Sequence, residues 1–421
     1  MTKAKKKSKS KKKVNKKILK TSAWNEAEWR HIEIYTRTIM PLFDDKPTPD
    51  EVDRELEDIL KKCPEYFPAL IRRGGYQLSI GKVSLGEELL DRGFDYMKDI
   101  LNEEEFKEVI NQFLAKLEDL LRYDLVVKYL KRAIEIYPQN ADFYEDLGLS
   151  MIKANIGDAN DVIKNHEKAL ELAPGDSNFL NNYGWSLVLL RDFKKAEGYF
   201  KESLKVDPQN TYPQRNLDIL KYMRGHKIKT FFDYLVRPVD LKNIRDLMDS
   251  DEESDYEKAE KMCKEYNSDR IIAFCEYYLK KGKFQPHQIV GLKNTFNVFI
   301  DFVESVVADS YFLYDDLDTI TFHFKSIMHK FIFKFKDVDD GLLLDVYDSL
   351  KAFYKFLSEL NLVEDMEYND FVKEITCLKE ELFHRMHEYN KIRHDPGLSD
   401  EEKEKIREEL FEGDHSWPHL W

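Results

Sequence analysis

The residue pair best spaced for chemistry is Glu381 and His384, in the run Glu380-Glu381-Leu382-Phe383-His384-Arg385-Met386-His387. Three residues apart on a helix, a carboxylate and an imidazole share one face, as they do in carboxylate-bridged di-iron bundles. Such a centre needs a second Glu-x-x-His and two further inward glutamates, and only the one motif is present. His323 and His329 are six apart and do not share a helix face, and His415 with His419 lacks a third ligand. The sequence has no phosphate-binding P-loop, no dinucleotide-binding glycine motif, no HExxH and no GxSxG. Cys63, Cys263, Cys275 and Cys377 are too scattered for a zinc or redox motif, and read as reduced thiols of an intracellular protein. The expectation is a protein that is not an enzyme and that holds no metal and no cofactor.

What remains to be positioned is a binding surface, and the elements that position it are repeated. Pro138, Pro174 and Pro208 each close an amphipathic segment and fall 36 and 34 residues apart; Gly148 and Gly184 keep a 36-residue phase. Residues 177–210 place Leu180, Tyr183, Gly184 and Leu187 on a first helix, then Ala196, Phe200, Ser203 and Pro208 on a second. Small Gly184 and Ala196 let the two backbones cross closely, and Pro208, with no N–H to donate, stops the second helix. Residues 141–176 repeat the scheme with Tyr144, Leu147, Gly148, Met151, Ala169 and Pro174. They differ by a two-residue insertion around Asn155–Asn160 and by His166 at an aromatic position. This pattern resembles the tetratricopeptide repeat (TPR), clearly over 141–210 and in degenerate form on either side.

The fold class expected is all-α: a short α-solenoid of TPR-like helix pairs followed by a second helical domain. The boundaries are a lysine-rich tail over 1–22, N-terminal helices over 23–66, the solenoid with a terminal capping helix over 67–226, a helical domain over 227–395, and a charged helix with a Trp-containing tail over 396–421. Aromatics at helical spacing in 227–395, Phe296, Phe299 and Phe302, then Phe322, Phe324, Phe331, Phe333 and Phe335, then Phe353, Tyr354 and Phe356, read as core. Trp417 and Trp421 want a pocket, on this molecule or on a partner. The most apolar stretch, 287–308, is interrupted by Lys293, Asp301 and Glu304 and cannot span a bilayer, so no membrane partner is expected.

Charge is divided sharply. Residues 1–20 hold eleven lysines and no acid, so a formal net charge of −14 leaves −25 on the other 401 residues. The run containing Lys5, Lys6, Lys7, Lys11, Lys12 and Lys13 cannot bury apolar surface and is expected to be a disordered tail that skims the acidic body, contacts nucleic-acid phosphate, or directs nuclear import. Otherwise a cytoplasmic location is expected.

The TPR resemblance implies a function, holding a protein or peptide ligand of basic character in a concave groove, and it implies where that groove lies. The groove positions of the first helices are Asp142, Glu145, Leu149 and Ile152 in one unit, Asn178, Asn181, Trp185 and Val188 in the next, and Tyr212, Arg215, Ile219 and Tyr222 in the cap. Asn182 matches the asparagine with which relatives grip a peptide backbone, and Trp185, Tyr212 and Tyr222 would be flat anchors. Trp185 and Tyr222 serve equally well as packing against the following domain. Glu145 and Leu149 stand where a clamp for chaperone C-terminal carboxylates needs other residues, so that ligand is not expected. The alternative function is a nucleic-acid-associated factor acting through the lysine tail.

Overall fold

In a computed structural model of the chain, residues 21–39, 46–250, 252–307, 312–335 and 338–411 are described. Among them there are nineteen helices and no strand. The chain divides into two compact units between Gln139 and Asn140. The first holds α1 (Ser22–Ile39), α2 (Pro49–Lys62), α3 (Phe67–Ser79), α4 (Val83–Ile100), α5 (Glu103–Asp119) and α6 (Tyr123–Ile136). The second begins with α7 (Ala141–Lys153), α8 (Ala159–Leu172), α9 (Ser177–Leu189), α10 (Phe193–Val206) and α11 (Thr211–Gly225). It continues with α12 (Phe231–Leu235), α13 (Leu241–Met248), α14 (Glu253–Lys281), α15 (Pro286–Val307), α16 (Leu317–Lys334), α17 (Asp340–Glu359), α18 (Asp365–Arg393) and α19 (Asp400–Leu410).

The repeat is written into the backbone as well as the side chains. Two residues after each phasing proline stands a cap: Asn140, Asp176 and Asn210 accept from the first free N–H groups of α7, α9 and α11. At the other end of each first helix one residue turns left-handed to reverse the chain: Gly81 (φ 80), Leu121 (φ 56), Asn155 (φ 53), Arg191 (φ 67) and Lys227 (φ 57). Only the first of these is glycine, so side-chain identity hides a period that the backbone keeps.

In three of the pairs the helices cross at glycine, at Gly74 and Gly86 between α3 and α4, at Gly148 between α7 and α8 and at Gly184 between α9 and α10, whereas α5 and α6 contain none. A Cβ on Gly184 would lie 2.7 Å from the Phe200 ring and 3.2 Å from the Ala196 carbonyl oxygen. At Gly148 the same space is taken by His166, 2.6 Å away. This histidine fills the aromatic position: its ring stacks on Tyr183 at 5.1 Å, and Nε2 sits 2.7 Å from the Ser186 hydroxyl. Burial drives its pKa down to about 4, so it is neutral and packs as a ring.

From α14 onward the aromatic stripes form a core. Phe296 stacks on Phe353 at 4.0 Å, and Phe274 meets both Phe353 and Phe356. Arg393 donates to the carbonyls of Ile332, Phe333 and Phe335, closing the C-terminus of α16. Glu381 is held by Lys325 at 3.0 Å and by Arg385 at 2.5 Å, which places it in an ion-pair network with no second carboxylate–histidine pair facing it among the described residues.

Candidate partner-binding cleft

Across the first helices α11, α9 and α7 runs a row of three amides that ends on a carboxyl. Asn216 Nδ2 donates to Asn181 Oδ1 at 2.9 Å, and Asn181 Nδ2 donates to Asn182 Oδ1 at 3.0 Å. Asn182 in turn hydrogen-bonds Glu145. A parallel link runs from Asn210 Nδ2 to Asn178 Oδ1 at 3.1 Å. Glu145 is only 5% exposed, and its Oε1 has no hydrogen-bond partner. Burial, then the charge of Asp146 beside it, pushes its carboxyl up to about 8, so it stands protonated near neutrality. Asn181 is buried as well. Glu145 and Asn181 therefore set the spacing of α7, α9 and α11 from below the surface. Neither is presented to a ligand.

Trp185 and Tyr222 are engaged by the chain that follows the repeats. Trp185 meets Phe231 of α12 edge to face at 4.7 Å. Tyr222 stacks on His226 at 4.0 Å and meets Tyr234 at 5.7 Å. Arg237, 6% exposed, lies 4.0 Å over the Tyr234 ring, 4.5 Å over Tyr266 and 5.8 Å over Tyr222, and pairs with Asp269 at 2.5 Å. Arg270 completes the fastening: it donates to the carbonyls of Leu235 and Arg237 and to both oxygens of Asp315. Of the two roles open to Trp185 and Tyr222, these contacts are the packing one.

Of the remaining groove positions, Val188 is fully buried in the core with Leu187, Phe200 and Leu220 and is not presented to a ligand, whereas others reach the surface. Asn178 and Arg215 are exposed, Tyr212 is 66% exposed, and Leu149 and Asn182 are half-buried. Arg215 opens onto a cleft of about 610 Å³ whose other wall is α14. Glu257, Glu260, Lys261, Lys264, Glu265 and Ser268 line that wall, a spacing that puts them along one helix face. Glu260 pairs with Lys264 and Asp269 with Arg237. Among the described residues Glu257, Lys261, Glu265 and Arg215 form no ion pair, so the cleft offers uncompensated charge of both signs. The α14 wall was not among the sequence-derived sites. Its signal is a 3.6-residue charged stripe within a 29-residue helix, a pattern identical to that of an ordinary solvated face. Lys5, Lys6, Lys7, Lys11, Lys12, Lys13, Trp417, Trp421, His415 and His419 lie outside the described residues.

No family model matches the chain, and no curated protein matches it. Among solved structures it is similar to a double mutant of MamA at 17% identity, covering 44% of this chain and 96% of that one, with a TM-score of 0.31. It is similar also to YrrB, described as a TPR protein with an unusual peptide-binding site, at 12% identity over 48% of this chain and 100% of that one, with a TM-score of 0.30. Yeast Tom70 matches at 15% identity over 91% and 92% of the two chains, with a TM-score of 0.23. The helix pairs are TPR-like. That statement stands on the glycine crossings, the proline-plus-two caps and the left-handed turns described above. No described helix is long and apolar enough to cross a membrane.

Proposed function

We propose that this protein is a non-catalytic scaffold that holds an extended segment of a partner protein in the cleft between Arg215 and α14. The observation that supports this reading most directly is a cleft of about 610 Å³ with Arg215 on one wall and Glu257, Lys261 and Glu265 on the other, none of them in an ion pair among the described residues. Charges left unpaired on the walls of a cleft are open to complementary charges supplied by a partner. Glu257 and Glu265 suit basic side chains of the ligand, and Arg215 suits a carboxylate. Asn178 and Asn182, on the helix that Asn216 ties to α11, offer amide donors and acceptors to a peptide backbone.

The test is affinity capture with the full-length protein and with an Asn178→Ala, Arg215→Glu variant, both treated with nuclease. These side chains are preferable to Trp185, whose removal would disturb the packing on Phe231. A protein retained by the native chain and lost by the variant, then recovered when its own acidic residue is changed to lysine, supports the cleft. Capture of nucleic acid that ignores the variant and needs residues 1–20 moves the function to the lysine tail and refutes the scaffold reading.

A further inference from the structure

A second cavity, of about 600 Å³, opens in the helical domain where α17 and α18 pass the junction of α14 and α15. Its apolar wall is made by Tyr278, Phe284, Leu292 and Ala352, with Phe284 edge-on to Tyr278 at 4.9 Å. Lys283, Lys351 and Lys355 stand around that wall. Each ammonium lies over a ring face: Lys283 over Phe284 at 5.3 Å, Lys351 over Tyr347 at 5.8 Å and Lys355 over Tyr368 at 5.1 Å. None of the three pairs with a carboxylate among the described residues, whereas Lys281, two residues before Lys283, is paired with Glu359. Lys351 and Lys355 are half-buried, and a lysine withdrawn from water ordinarily has a partner. The acids of the lining do not supply one. Asp348 and Lys351 stand three apart on α17, the spacing of a helical ion pair, and form none. Burial raises the Asp345 carboxyl, and the charges that raise it further are those of Asp348 and Asp339. The cavity therefore has an acidic end, Asp345 with Asp348, and a basic end, Lys351 with Lys355, about 10 Å apart along α17 at 1.5 Å per residue. Gly291 keeps the space between them open. It lies inside α15 on the cavity wall, and a Cβ there would meet no atom within 4 Å. Glycine is unfavourable inside a helix, and here, unlike at Gly148 and Gly184, no neighbouring helix requires it.

We propose that this cavity binds a purine nucleoside diphosphate, with its phosphates at the lysine end, its flat ring against the apolar wall and its base or ribose donors at the acidic end. Each part of such a ligand answers a group that the protein leaves unanswered. The phosphates bring several negative charges to three free ammonium groups, and lysine binds phosphate as a point charge without needing a fixed fork geometry. Amino and hydroxyl groups of the base and ribose donate, and ionised carboxylates such as those of Asp345 and Asp348 only accept. The volume is that of a small-molecule site. Two other occupants fit less well. An inorganic anion would leave the apolar wall, Asp345 and Asp348 unused. An extended protein segment would need partners for its own N–H and C=O groups, and two neutral polar side chains of the lining are already engaged: the Tyr278 hydroxyl donates to the Ala352 carbonyl at 3.0 Å, and Gln288 Oε1 accepts from the Gln285 N–H at 2.9 Å.

The experiment is isothermal titration of the full-length protein with ADP, GDP, adenosine and pyrophosphate at about 0.1 M salt. A Lys351→Gln, Lys355→Gln variant and a Gly291→Leu variant are run beside the native chain. Leucine is a better helix former than glycine and enters open space, so Gly291→Leu fills the cavity and should leave the thermal midpoint unchanged or higher. Circular dichroism checks both variants, and the lysine variant decides alone if Gly291→Leu unfolds. The expected result is that at least one nucleotide binds, and that adenosine and pyrophosphate bind about tenfold more weakly or worse. The lysine variant should lose about tenfold or more in affinity, and Gly291→Leu should abolish binding. The proposal is overturned by any of four results: no binding of either nucleotide up to about 1 mM, pyrophosphate binding as tightly as the nucleotides, binding that survives both variants, or a captured protein, in place of a nucleotide, that is lost with Gly291→Leu. The cavity shares no residue with the cleft at Arg215, so its failure leaves that reading untouched.

Discussion

Replacing Arg270 by methionine tests how α12 is fastened over the repeats. The guanidinium is 1% exposed; Nε lies 3.0 Å from each Asp315 oxygen, Nη2 lies 2.9 Å from Oδ2 and 2.7 Å from the Arg237 carbonyl, and Nη1 reaches the carbonyl of Leu235. Methionine fills similar volume and makes none of these bonds. Two carbonyls lose a charged donor and Asp315, whose side chain is 18% exposed, loses its cation. Breaking one side of a buried pair costs about 3–5 kcal/mol. Water access to Asp315 pulls the expectation to the lower half of that range, about 3 kcal/mol. Urea unfolding gives the energy, and amide hydrogen exchange over 231–237 gives the place, since those residues lose their anchor first. Adding Asp315→Leu removes the stranded carboxylate, so the double variant should recover roughly half of the loss. A single-variant loss below about 1 kcal/mol, unchanged protection over 231–237, or a double variant that costs the sum of its parts would refute this account.

Four further outcomes are expected. Gly184→Val sets side-chain carbons against the Phe200 ring, where a Cβ already stands 2.7 Å away, and should lower stability by about 1–3 kcal/mol in urea unfolding. Arg191→Gly relieves a left-handed residue at φ 67 on the surface and should raise stability by about 1 kcal/mol, whereas no gain would mean that the turn is held by its side chain. Glu145 keeps its proton up to about pH 8 when folded and releases it near the ordinary 4.5 when unfolded, so the native state holds more protons in that window and stability falls as pH rises through it. Glu145→Gln should flatten that slope, which for one group reaches at most about 1.4 kcal/mol per pH unit. His166 has the opposite sign: lowered to about 4 from 6.5, it makes stability fall as pH drops through that interval, and chemical denaturation of His166→Phe from pH 7 to 4 should show a shallower loss.

The parts of this protein that the sequence determined by itself are those whose causes are local. A proline, the cap two residues later and a glycine at the crossing act within one helix pair, so Pro174, Asp176 and Gly184 announce α9 and its partner to any reader of the chain. Most of the aromatic stripes of 227–395 were equally legible as core, because helical period and burial are two descriptions of one face, but Phe322 is 84% exposed and is not part of it. Site assignment by position went only partway. Asn178, Tyr212 and Arg215 are exposed, but Glu145 and Asn181 are buried in the network that spaces the helices, and Trp185 and Tyr222 are taken up by Phe231 and Tyr234.

Only the tertiary structure decided which surfaces are closed and which are open. Arg270 reaches Asp315 across 45 residues, and Asn267 reaches the Phe312 carbonyl across the same interval; neither link leaves a periodic trace. The wall that α14 raises opposite Arg215 has the composition of any solvated helix and becomes half of a cleft only when the chain returns past α11. Helices follow from neighbours in sequence, whereas a site is made by groups that the sequence keeps apart.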